Sequence, residues 1–157
     1  MRGDLSLWYR RVAADRAGSV MIEFAIGLPV LLLLVVGMLD LGRFGLQKSA
    51  MLQGARAGAQ YGMAAPNDSA NINSTAQNAT GLTGVTATST KFCECVSGMA
   101  VGCGTTCTGG GAPKTYIKVN TTKAFTSVLS VATLNFGAFG SWTPPTSISA
   151  SVTMIVP

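Results

Sequence analysis

The chain has 157 residues, a formal net charge of +5 and no histidine. Charged side chains make up only 11% of it, too mild a basic excess for a nucleic-acid surface. After residue 18 the carboxylates are scattered at Glu23, Asp40, Asp68 and Glu94, so neither an acid/base pair nor a nucleophile triad can be assembled. The reading is therefore not an enzyme, with no cofactor and no metal site.

Residues 1–18 carry Arg2, Arg10, Arg11 and Arg16 against Asp4 and Asp15, which leaves about +3 for the remainder. Trp8 and Tyr9 suit the headgroup level of a bilayer. From Ser19 to Leu39 the one ionisable side chain is Glu23, and a helix of that length reaches about 30 Å, the thickness of a hydrocarbon core. The stretch predicts a membrane span. Lys/Arg excess holds its own side of a span in the cytoplasm, so the chain after the span is exported.

Two other readings fit less well. A buried helix of a soluble domain rarely runs as far as Phe24 to Leu39 without one polar side chain. A cleaved secretory signal needs a small-x-small site, and Ala55-Arg56-Ala57 lies well past Asp40 and Arg43. Within the span, Pro29 removes a backbone donor and crowds the carbonyl of Ala25, which predicts a kink.

Glu23 is the costly residue. A carboxylate inside an apolar run needs a partner, a path to the headgroups or a proton. A cut between Gly18 and Ser19 would place a new α-amino group four residues before Glu23, one helical turn away on the same face. In a bundle, one subunit's terminal ammonium can then meet another's carboxylate where little water competes.

Gly18, Ser19 and Glu23 ahead of an apolar helix resemble the type IV prepilin processing site. The longer pattern, Glu23-Phe24-Ala25, Leu28-Pro29-Val30-Leu31 and Gly37-Met38-Leu39-Asp40-Leu41-Gly42-Arg43, resembles the TadE-like family, minor pseudopilins of the tight-adherence or Flp pilus apparatus. TadG-like relatives share this start but usually carry a much larger exported domain, and major Flp pilins are much shorter. The resemblance covers roughly residues 19–62. It implies a bacterial inner-membrane, single-pass protein with a cytoplasmic N-terminus, cut after Gly18 by a prepilin peptidase. It also implies a part in initiating Flp pilus assembly, either from the membrane or incorporated in the filament itself, with other Flp pilins and pseudopilins, the inner-membrane assembly platform and the lipid bilayer as partners. Ser19 and Glu23 would then set register between subunits.

Past the span, residues 40–62 lack proline and are rich in helix formers. Leu41, Phe44, Met51, Leu52, Ala55 and Ala59 form an apolar stripe, and Gly54, Gly58 and Gly62 add small residues four apart. Such a face serves either subunit packing or packing on the chain's own exported domain. Ala65-Pro66-Asn67-Asp68 ends this helix, and Asp68 is placed to cap a second over 69–80, with Ile72, Ala76 and Ala79 on one side. Strand character follows near 84–96, 114–122 and 147–156. In the last, Ile148, Ala150, Val152, Met154 and Val156 alternate with Ser147, Ser149, Ser151 and Thr153. Between the second and third strands, Phe125, Val128, Leu129, Leu134, Phe136, Phe139 and Trp142 either close the core or form a contact patch.

Cys93, Cys95, Cys103 and Cys107 all follow the span and fit disulfides in an oxidising compartment better than a zinc knuckle. Cys93 and Cys95 share a strand face and do not comfortably bond each other. A turn near 97–101 favours the nested pairs Cys93 with Cys107 and Cys95 with Cys103, crossed pairs remaining open. Thr108-Gly109-Gly110-Gly111 lacks the Lys-Ser/Thr of a phosphate loop and reads as a flexible turn. Asn67, Asn73, Asn78 and Asn120 stand in Asn-x-Ser/Thr triplets, as an Asn/Thr-rich composition produces.

The expectation is thus an α+β protein with a pilin-like plan. A leader (1–18) precedes a transmembrane and stalk helix (19–64) and a disulfide-containing domain (65–157) with a small antiparallel sheet and a short second helix. The rival function is a single-span, uncleaved membrane protein whose disulfide-linked domain recognises a ligand.

Overall fold

The structure, a computed structural model, describes residues 16–96, 98–128, 133–135 and 137–157, without the side chains of 16–19, 134, 139 and 142. The expected leader therefore lies outside the described residues except for its last three positions, and Leu129 and Phe136 lie outside them too. By internal contacts the chain divides into two units, Met1–Asp40 and Leu41–Pro157.

Helix α1 (Arg16–Ala64) runs without interruption through Pro29 and contributes to both units. In the first unit its side chains are largely exposed, Met21 at 77% and Ile26 at 68%. An apolar helix so exposed among the described residues has no means in water of hiding that surface, whereas in lipid exposure is its stable state. The helix over Val20–Ala64 is long and apolar enough to cross a membrane.

The second unit is an α+β layer. Helix α2 (Ser69–Ala79) starts where expected because the Asp68 carboxylate accepts the Asn71 backbone N–H at 3.2 Å, satisfying one donor that the first turn leaves free. A four-stranded antiparallel sheet has the order β2-β1-β3-β6, from β1 (Val85–Glu94), β2 (Ala100–Val101), β3 (Lys114–Ala124) and β6 (Ser147–Val156). A separate two-stranded ribbon joins β4 (Leu134–Asn135) to β5 (Ser141–Trp142), with a 3-10 turn between them. The three long strands match the expected ones closely. The ribbon was not foreseen, since two-residue strands carry no period to read.

The core forms where one sheet face meets the helices. Ala55, Ala59, Ile72, Ala76, Ala87, Ile117 and Val119 pack as one cluster, joined by Val152, Met154 and Val156. Met51, Phe125, Ile148 and Ala150 make a second, flanked by Phe44, Leu52 and Leu82. The alternation in β6 thus points its apolar set inward, as expected. Phe125 meets Phe44 edge to face, with centroids 5.5 Å apart at 86°, so this aromatic closes the core. Polar ties pin helix to sheet: the buried Thr121 hydroxyl lies 3.2 Å from the Met51 carbonyl and 3.3 Å from that of Ala150, and the Lys48 ammonium donates to the Ser149 carbonyl at 2.6 Å.

Two stripe assignments need correction. Leu41 is 69% exposed and does not join Phe44 and Met51. On α2 the exposed Ala79 gives way to Thr80, buried at 7%, because the inward line Ile72-Ala76 continues in steps of four.

The glycines of α1 resolve the choice between subunit packing and packing on the chain's own domain. A Cβ on Gly54 would stand 2.5 Å from the Ala76 carbonyl oxygen, and one on Gly58 would stand 2.7 Å from the Ala76 Cβ and 3.0 Å from the Ile72 oxygen. At Gly62 it would meet Ile117 and Ile72 at 3.0 and 3.3 Å. The small-residue face is therefore the bed on which α2 and the sheet of the same chain lie. Absent side chains let the backbones approach closely enough for Ala76 to sit over Gly58.

Candidate functional site: the N-terminal helix face and the cystine hairpin

Along α1, Val20, Glu23, Phe24, Gly27, Leu28 and Leu31 line one shallow groove. Their spacing of three and four places them on one helix face, so Glu23 sits at the head of an apolar stripe. The stripe is open: Val20, Phe24 and Leu31 are 64, 66 and 57% exposed, and no atom of the described residues lies within 4 Å of a Cβ built on Gly27. The helix is already formed at Gly18 and Ser19, so the Ser19 backbone stands one turn before Glu23 on the same side. Pro29 lies within the helical run one residue beyond Leu28, where the helix must do without one hydrogen bond.

The second arrangement is the cystine hairpin. Cys93 is bonded to Cys103, with Cα atoms 5.1 Å apart, and Cys95 to Cys107, with Cα atoms 5.7 Å apart. The pairing is crossed, which overturns the nested one. Its cause is register: β1 and β2 pair Cys93 with Val101 and Glu94 with Ala100, so the turn is centred near residue 97 and not closer to 100. Cys103, two residues past Val101, then reaches Cys93 on the same face, and the chain must fold back before Cys107 can meet Cys95. Hydrogen bonds from the Cys107 N–H to the Gly111 carbonyl (3.1 Å) and from the Gly110 N–H to the Cys107 carbonyl (2.9 Å) hold that return. Gly109, Gly110 and Gly111 all have positive φ, 106°, 85° and 112°. The glycine run is thus a hydrogen-bonded turn requiring left-handed backbone. Cys93 is buried at 1%, while Val96 at the hairpin tip is 94% exposed.

Among the described residues, Asp68 is the group whose titration is clearly displaced. Its carboxyl is held below the usual range, first by the Asn71 side-chain amide at 2.7 Å, then by the Asn71 backbone N–H, with the Tyr61 hydroxyl at 3.3 Å adding to them against a small desolvation. This is a capping device and not catalytic chemistry.

The site residues read from the sequence fall in two separate places, Gly18, Ser19, Glu23 and Pro29 along the first unit's helix, and the four cysteines in the second unit. Sequence reasoning missed the outer face of the sheet, where Thr88, Thr90, Lys118, Asn120 and Ser151 line a concavity. Period-two alternation in β1 and β3 carries part of that signal, but only the register brings three strands' side chains side by side.

Comparison with curated proteins and with solved structures gives no match. A family model does match: residues 18–60 fit that of TadE-like protein, so the N-terminal segment is TadE-like, and with its apolar helix it fits a membrane protein associated with a Tad pilus.

Proposed function

We propose that the protein is a minor pseudopilin of a Flp-type pilus, cut after Gly18 and held in the bacterial inner membrane by α1 until assembly. The observation that carries this reading is positional. The TadE-like match begins at residue 18, the glycine of the proposed cut, and Glu23 follows at the fifth mature position on an open apolar face. The role is structural. The new α-amino group of Ser19 lies one turn from Glu23 and offers a neighbouring subunit's carboxylate its counter-charge in a low-dielectric bundle, where such a pair is far stronger than in water. The apolar stripe below it supplies non-specific packing, and the charge pair supplies the register.

The orientation follows from the arginines of residues 1–18, which keep that side cytoplasmic, and four cysteines in the exported part suit an oxidising compartment. Prepilin peptidase, the other Flp pilins and pseudopilins and the assembly platform are the implied partners. The test is Glu23→Ala in the native host: membrane insertion is retained or improved, since a carboxylate leaves the apolar run, while surface piliation falls sharply. Normal piliation by the variant contradicts the assignment.

A further inference from the structure

The side of the sheet away from the helices carries a second, unassigned surface. Antiparallel register aligns Thr88, Asn120 and Ser151 in one row across three strands, and Thr90, Lys118 and Thr153 in the next. Thr88, Thr90, Lys118, Asn120 and Ser151 line one shallow concavity, and Thr88, Thr90, Lys118 and Ser151 are exposed. One row further, Phe92 and Tyr116 are register partners whose rings stack at 5.4 Å and 16°.

The chemistry of this lining narrows the ligand. Hydroxyl and carboxamide groups both donate and accept, and therefore suit a partner whose own groups do both, such as the hydroxyls of a saccharide. Strands about 4.8 Å apart present those groups at a spacing near the width of a sugar ring. The concavity holds one cation, Lys118, and no carboxylate. That matches a ligand with isolated negative charges, whereas a nucleic acid or polyphosphate calls for a cluster of cations. The stacked aromatic pair one row beyond the concavity offers apolar carbon to the apolar face of an adjoining ring.

We infer that the outer sheet face binds a carboxylate-bearing saccharide chain, with Lys118 meeting the carboxylate, Thr88, Asn120 and Ser151 meeting hydroxyls, and Phe92–Tyr116 flanking the next sugar. This site lies in the second unit and does not depend on the pilus reading. Binding of this kind gives an exported domain a means of holding acidic polysaccharide.

The experiment titrates the full chain, in neutral phosphatidylcholine nanodiscs, with oligogalacturonate and alginate oligomers. Their carboxyl-reduced counterparts and polyglutamate serve as comparators. Saturable binding to at least one acidic oligosaccharide is expected, weakened about tenfold by carboxyl reduction and by Lys118→Gln, and weakened also by Asn120→Ala. Both positions face outward on a formed sheet, and unchanged thermal melts of the variants confirm that only the site is altered. No binding to either acidic series overturns the inference, as does equal binding of polyglutamate or of the reduced oligomers, or affinity indifferent to both substitutions.

Discussion

Asp68 shows how one side chain sets where an element begins. Its carboxylate takes the Asn71 backbone N–H and the Asn71 side-chain amide, and its ionised form is favoured by both. Because the folded value is depressed, the stabilisation is fully present above the unfolded carboxylate value, near 3.9, and is lost as pH falls through the lower folded value. Melting temperature of the native chain should therefore drop below about pH 4 more steeply than that of Asp68→Asn, which cannot titrate there. Parallel curves for the two would show that the cap contributes nothing pH-dependent. Gly54 gives the steric counterpart. A methyl group there meets the Ala76 carbonyl oxygen at 2.5 Å, so Gly54→Ala must push α2 away and should cost about 1–3 kcal/mol despite its better helix propensity. Chemical denaturation measures it, and a stabilised variant would mean that the α1–α2 contact is looser than described.

At the scale of elements, α1, α2, β1, β3 and β6 were legible because their periods are long and their stops explicit. Pro66 and Asp68 mark one boundary, and the Ile148 to Val156 alternation marks another. The partner of the Gly54-Gly58-Gly62 face was not legible, because a small-residue stripe looks the same whether it faces a sister helix or the chain's own α2. The cystine pairing was misjudged for a related reason: it hangs on a hairpin register that a shift of the turn centre by a few residues rewrites, and nothing local in Cys93 to Cys107 fixes that centre. The crossed bridges tie Cys93 in β1 to Cys103, two residues past β2, and Cys95, just past β1, to Cys107 at the start of the glycine turn. Removing Cys95–Cys107 by paired Ala substitution should lower stability by about 2–4 kcal/mol while leaving the β1–β3–β6 ladder, which pairs ten residues on each side, in place. Far-UV circular dichroism through a melt separates the two outcomes, and loss of strand signal before heating would show that the hairpin organises the whole sheet.

For the whole molecule, the chain joins two solvents. Up to Asp40 the helix keeps its apolar residues outside, and in the second unit Phe44, Met51, Ala55 and Ala59 of the same helix turn inward to a core shared with α2 and the sheet, while Leu41 and Leu46 stay exposed. A hydrocarbon surface of that length is stable in a bilayer, or among like helices in a filament. One carboxylate in that surface is the feature that distinguishes an anchor from an assembly element, and its proposed counter-charge exists only once the chain has been cut after Gly18. The most direct measurement is the intact mass and N-terminal sequence of the protein extracted from membranes of its own host. A polypeptide beginning at Ser19, which reverts to the uncut form when the prepilin peptidase is removed, is the predicted result. A protein that retains residues 1–18 while pili assemble normally would contradict the account.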